Sequence, residues 1–300
     1  MVVIKPPRLK QGDQIGIISP AGPVSEPDLQ PGIKALESSG FKIRLAPHVF
    51  DTNDYLAGND EGRLEDLHRM FLDREINAII CARGGYGSLK LLDKIRYDLI
   101  RQNPKIIVGY SDITALLMAF HAKTGMVTFH GPMVREFSSG DPGNLDNLLR
   151  LVSSNQPPVL PLGKGSVIRQ GKVQGRVIGG NLSLICHLIG TPFFPSLDGF
   201  ILFIEDRGEP LYRVDRMVTH LKLSGRLKGL AGLIVGEFEG CGEMPVIDRL
   251  FRDILSDLDI PMASGLPVGH GLKNLAIPIG LRAELDTDLM TLSVLERCVT

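Results

Sequence analysis

Short apolar runs alternate with amphipathic stretches through the first half of this chain, and that alternation limits its fold more than any other feature. Ile15-Gly16-Ile17-Ile18 reads as a buried strand ending at Ser19-Pro20-Ala21-Gly22-Pro23, and Ser25 with Asp28 then opens a helix running to Gly40. Phe41 to Leu45 is a second strand. Leu64, Leu67, His68 and Phe71 share a helical face, and Ala78-Ile79-Ile80-Cys81-Ala82, Ile106 to Gly109 and Val127-Thr128-Phe129 are strand-like. Strands separated by helices predict a mostly parallel sheet covered by helices.

Residues 154 to 172 are rich in Pro and Gly and carry no sustained helical period, which predicts a connection between domains. Beyond it, Leu182 to Ile189 reads as a short helix, Phe200 to Ile204 as a strand buried on both faces, Leu211 to Leu223 as a helix and Leu233 to Val235 as another strand. The alternation from Ala283 to Val294 about a turn predicts an antiparallel hairpin. The expected fold is α/β with two domains. Residues 1–153 form an N-terminal domain with a mostly parallel sheet and flanking helices, 154–172 a linker, and 173–300 a smaller mixed α/β domain with the hairpin.

Three hundred residues provide enough chain for a substantial core, and the formal net charge of -1 gives no bias toward nucleic acid or an anionic membrane. The four cysteines, Cys81, Cys186, Cys241 and Cys298, include no C-x-x-C pair, which argues against a zinc knuckle or a disulfide framework and fits a reducing compartment. The opening apolar run, Met1 to Ile4, is too short for a signal-peptide core, and no segment reaches the roughly 18 apolar residues of a membrane span. A cytoplasmic protein acting on a small ligand is expected.

In an open parallel sheet, ligands bind beyond the carboxyl ends of the strands. Polar residues at such exits are Ser19, the Arg83-Gly84-Gly85-Tyr86-Gly87 loop, Ser111-Asp112, His130, Glu205-Asp206 and His270. Ser111 stands where Ile106-Ile107-Val108 gives way to the helix-like Ile113 to Phe120. Such a turn can present a nucleophile, although Ser111 or Asp112 could equally serve as a helix cap. The glycine loop lacks both the G-x-G-x-x-G pattern and the Lys-Ser/Thr ending of a P-loop. It could lend backbone N–H groups to an oxyanion, or be a plain turn.

A serine nucleophile needs a base. His48, His68, His121 and His220 read as surface or packing residues, and His187, inside an apolar segment, as a core histidine. His130 and His270 remain, each beside glycine at a strand exit; Glu205 or Asp206 could orient the base, or simply end a strand in solvent. Cys81 is the fallback nucleophile.

Gly109-Tyr110-Ser111-Asp112, Ala82-Arg83-Gly84-Gly85-Tyr86-Gly87, Gly179-Gly180-Asn181-Leu182, Phe203-Ile204-Glu205-Asp206 and Gly269-His270-Gly271 together resemble the LD-carboxypeptidase family of serine peptidases, which includes murein tetrapeptide carboxypeptidases and microcin C immunity peptidases. The likeness runs in order along nearly the whole chain. It implies a triad of Ser111, Glu205 and His270, and an oxyanion hole from the N–H groups of Asp112 and the Gly84-Gly85 loop. It further implies release of a C-terminal D-amino acid, foremost D-alanine, from a murein tetrapeptide, without metal or cofactor. Arg83 is the candidate for the substrate's terminal carboxylate, against the alternative of a structural ion pair. A peptidyl-adenylate substrate stays as the alternative within the family, although adenylate-cleaving members use aromatic stacking that often includes tryptophan and this chain has none. A non-enzymatic anion-binding module is the alternative outside it. Monomer and homodimer are both left open.

Overall fold

The computed structural model describes residues 2–138 and 140–300 and contains two sheets. In the first half, β1 (Gln14–Ile18), α1 (Glu26–Ser38), β2 (Lys42–Leu45), α2 (Asp60–Leu72) and β3 (Ile76–Cys81) alternate strictly. There follow α3 (Tyr97–Gln102), β4 (Ile106–Gly109), α4 (Thr114–Thr124), β5 (Thr128–His130) and α5 (Gly143–Ser153). The Ser25 hydroxyl caps α1 by accepting from the Asp28 N–H at 3.3 Å, as its spacing predicts, and the Asn59 side chain caps α2 through the Gly62 N–H at 2.7 Å.

Two short strands, β6 (Val159–Pro161) and β7 (Val167–Arg169), precede β8 (Lys172–Asn181), α6 (Leu182–Leu188), β9 (Phe200–Arg207) and α7 (Leu211–Leu223). The chain continues through β10 (Gly232–Glu239), α8 (Met244–Ile254), β11 (Met262–Ser264), β12 (Ile277–Ile279), β13 (Arg282–Asp286) and β14 (Thr291–Val294). The β13–β14 pair is the expected hairpin, in register Asp286 to Thr291.

The first sheet runs β12-β5-β4-β3-β1-β2, parallel except for β12. The second runs β6-β14-β13-β8-β9-β10-β11-β7, with a parallel centre of β8 to β11 and antiparallel strands on both sides. The stretch 154–172 thus carries two strands of the second sheet besides joining the halves. Each has three residues, too few to show a period among prolines and glycines. Strand β12 returns from the second half to become an edge of the first sheet, pairing Ile277 with His130.

Helix α4 holds the halves together. Thr114 through His121 are all buried, so the helix is covered on every side, by β5 from the first sheet and by α6 and β8 from the second half. One apolar cluster contains Leu116 and Phe120 of α4 together with Ile178 of β8 and Phe203 of β9. Within this interface the Thr114 hydroxyl accepts the Asn181 N–H at 3.0 Å. The start of α4 therefore has the carboxyl ends of β8 and β9 beside it.

Candidate active site

Between β4 and α4 the backbone makes an abrupt turn. Tyr110 is extended, Ser111 has φ of 61°, and a three-residue 3₁₀ turn leads into the helix. Only three non-glycine residues among those described have positive φ, and a serine there stores strain that the surrounding packing must sustain. Neither Ser111 nor Asp112 acts as a helix cap: α4 has no side-chain cap, the Ser111 hydroxyl turns toward His270, and the Asp112 carboxylate turns toward Ser88.

His270 Nε2 lies 3.1 Å from Ser111 Oγ, and His270 Nδ1 lies 2.7 Å from Glu205 Oε2. With Glu205 ionised, Nδ1 carries the proton it donates to the carboxylate, leaving Nε2 free to accept from the serine. Glu205 is fully buried near the end of β9. Gly269, with φ of 125°, allows this approach: a Cβ there would stand 2.7 Å from Glu205 Oε2. Burial alone would lower the pKa of His270, but the hydrogen bond and charge of Glu205 outweigh it and hold the imidazole above the ordinary histidine range.

Asp206 faces the other way. Its carboxylate accepts from Asn181 Nδ2 and the N–H groups of Ser183 and Arg207, all within 3.0 Å. It anchors the start of α6, while its neighbour serves His270, a division that follows from strand alternation.

On the opposite side of Ser111 lies the glycine loop. A Cβ on Gly84 would be 3.0 Å from Ser111 Cβ and 3.2 Å from its Oγ, so only a bare backbone lets the loop pass this close. The Asp112 carboxylate accepts the Ser88 N–H at 2.8 Å and the Ser88 hydroxyl donates to the Asp112 carbonyl, bolting the loop to the turn that carries the serine. Asp112 therefore offers a side-chain brace as well as the N–H that sequence reasoning singled out. Its own N–H belongs to the first turn of a helical segment, where backbone donors lack intrahelical acceptors.

Arg83 is half-buried and donates from Nη1 to the Pro23 carbonyl at 3.1 Å. Among the described residues it makes no salt bridge, so the alternative of a structural ion pair is not what holds it. Burial and the neighbouring Arg135 charge depress its pKa, with the Asp28 and Glu136 carboxylates acting the other way.

The remaining candidates separate clearly. His130 is fully buried, meets Tyr110 and Phe203 edge-on at ring distances of 5.8 and 5.1 Å, and has both nitrogens unpartnered. Burial, with the nearby His270, pushes its pKa down to about 3, so it stays neutral and packs behind the site. Expected as a core residue, His187 is instead exposed on α6 and bonded to the Ser183 carbonyl; the apolar residues around it face inward while it faces out. His121, read as surface or packing, is buried completely. Cys81 is also fully buried, with its thiol pKa pushed far up by desolvation, which removes it as a nucleophile. Sequence reasoning missed Tyr110, whose ring lies 4.9 Å from that of His270 and whose hydroxyl donates to Glu136 Oε1 at 2.6 Å. Its position next to Ser111 was the available signal.

Family models for the LD-carboxypeptidase N-terminal and C-terminal domains match residues 15–131 and 174–285. The chain belongs to the LD-carboxypeptidase family. It is 38% identical to the "Probable murein peptide carboxypeptidase" of Bacillus subtilis, over 94% of this chain and 92% of that one. It is 33% identical to the "Murein tetrapeptide carboxypeptidase" of Pseudomonas aeruginosa, over 91% and 93%. The crystal structure of an MccF-like protein from Bacillus anthracis superposes with a TM-score of 0.91 at 29% identity, covering 98% of this chain and all of that one. The protein is thus a serine-type carboxypeptidase, as the motifs imply, built on the expected mixed α/β fold.

Proposed function

We propose that this enzyme hydrolyses the bond between an L-centre and a C-terminal D-residue, foremost D-alanine, in a murein tetrapeptide, with Ser111, His270 and Glu205 as its triad. The observation that carries this reading is the continuous chain from Ser111 Oγ through His270 to Glu205, at 3.1 and 2.7 Å, on a serine held at φ of 61°. The names of the curated relatives support the substrate class.

In the first half-reaction Ser111 Oγ attacks the carbonyl carbon while His270 Nε2 takes the hydroxyl proton. Glu205 stabilises the resulting imidazolium. Backbone N–H groups of Asp112 and the Gly84-Gly85 loop receive the oxyanion. Collapse breaks the C–N bond, His270 returns the proton to the amine, and the D-amino acid leaves. Water then attacks the acyl-serine with His270 as base, releasing the shortened peptide. Arg83 is assigned the terminal carboxylate, since a guanidinium matches its two oxygens.

We place this reaction in the cytoplasm, in the turnover of cell-wall peptides. Among the described residues no helix is long and apolar enough to cross a membrane. The test is incubation of the purified enzyme with a defined tetrapeptide and with a peptidyl adenylate, products being read by mass spectrometry. Release of the terminal D-residue from the tetrapeptide is expected. Cleavage of the adenylate alone would transfer the assignment to the family's other substrate class.

A further inference from the structure

His270 sits on a loop of the second half, yet it must meet a serine carried by the first. The second sheet alone does not hold this loop. Asn144, on the first turn of α5 in the first half, takes it at two points: its Oδ1 accepts the Asn274 N–H at 2.9 Å, and its Nδ2 donates to the Leu272 carbonyl at 2.9 Å. The amide orientation is unambiguous, because one partner can only donate and the other can only accept. Asn274 passes the restraint on, its Oδ1 accepting the Gly269 N–H at 3.1 Å, immediately before the histidine. Both asparagines are almost completely buried, at 3% and 2% exposure, so water does not compete for these bonds. One turn later on α5, Asn147 accepts the Ala276 N–H at 2.8 Å and leads the chain into β12.

We propose that Asn144 is a positioning residue for catalysis, a latch from the first half that fixes the His270 loop against Ser111. This rests on the proposed triad. Glu205 orients the ring from the side of β9, but the distance from ring to serine depends on where the loop stands relative to the first half, and Asn144 sets it by gripping the peptide groups on either side of Lys273, with the Asp141 N–H sharing the Leu272 carbonyl at 3.0 Å. Misplacing a catalytic group by about 1 Å costs on the order of a hundredfold in rate. Asn147 makes a half-buried contact from the same helix to a residue six beyond His270, past the end of the latch, and so provides an internal comparison.

The experiment compares Asn144→Ala, Asn144→Asp and Asn147→Ala in the full chain. It measures the rate at which a fluorophosphonate labels Ser111, kcat and KM on the tetrapeptide, and Tm. Asn144→Ala should slow labelling and kcat by roughly 10- to 100-fold with KM changed less than about threefold. Asn147→Ala, at a comparable loss of Tm, should keep both rates within about threefold. Asn144→Asp retains the acceptor for Asn274 and loses the donor to Leu272; its intermediate rate carries the test if the alanine variant does not fold. Near-normal rates in the Asn144 variants, or equal losses at Asn144 and Asn147 that follow Tm, would overturn the latch. Absence of labelling in the wild-type enzyme would instead remove the Ser111 assignment on which it depends.

Discussion

Ser111 carries three independent signs of its role: a strained backbone, a base within hydrogen-bond distance, and glycine backbone packed against its side chain. Ser111→Ala should therefore abolish turnover by several powers of ten while leaving Tm near that of the wild type, as kinetics and calorimetry will read. Glu205→Gln should slow the reaction far more than Asp206→Asn; the reverse ranking would give the orienting role to Asp206. The pH profile follows from the same pair. Because the active histidine is neutral and Glu205 raises its pKa, kcat/KM should fall on the acid side with an apparent pKa above 6.5, and Glu205→Gln should move that limb to lower pH. At this scale the sequence was informative because a serine after a strand and a histidine between two glycines are local patterns. Tyr110 and His130 were harder to read. Their surroundings come from Glu136 and Phe203, which sequence distance conceals.

Two elements make the site rigid, the Ser111 turn and the glycine loop, and Asp112 joins them through Ser88. Asp112→Ala leaves the backbone N–H at position 112 and the Ser88 hydroxyl bond to the 112 carbonyl in place, and removes only the carboxylate half of this brace. It should reduce kcat by about 10- to 100-fold by loosening the glycine loop proposed to receive the oxyanion, with faster hydrogen exchange across residues 84–88 as the independent check. An unchanged exchange rate would mean that the loop holds its shape without Asp112. The strands and helices around these two elements were legible where apolar runs were long, as in β4 and β9. Strands β6, β7 and β12 were not, since three residues each define no period and their partners lie far away in sequence. What makes them strands is the edge on which they land.

At the scale of the molecule, the site exists only where the two sheets meet. Ser111 follows β4 of one, Glu205 lies in β9 of the other, and α4 is buried between them. The α/β alternation announced both halves but not their contact, which depends on β12 crossing back and on bonds such as Asn181 to Thr114. If Arg83 reads the terminal carboxylate, Arg83→Met should depress kcat/KM for the free acid much more than for its amide; equal losses would return Arg83 to a structural role. The measurement that bears most directly on the whole account is hydrolysis of two tetrapeptides differing only in the chirality of the last residue, by wild-type enzyme and by Ser111→Ala, with products identified by mass spectrometry. The wild type should release the D-residue, leave the L-residue in place and pass through an acyl adduct on Ser111, and the variant should do none of these. Equal cleavage of both peptides, or near-normal release by Ser111→Ala, would contradict it.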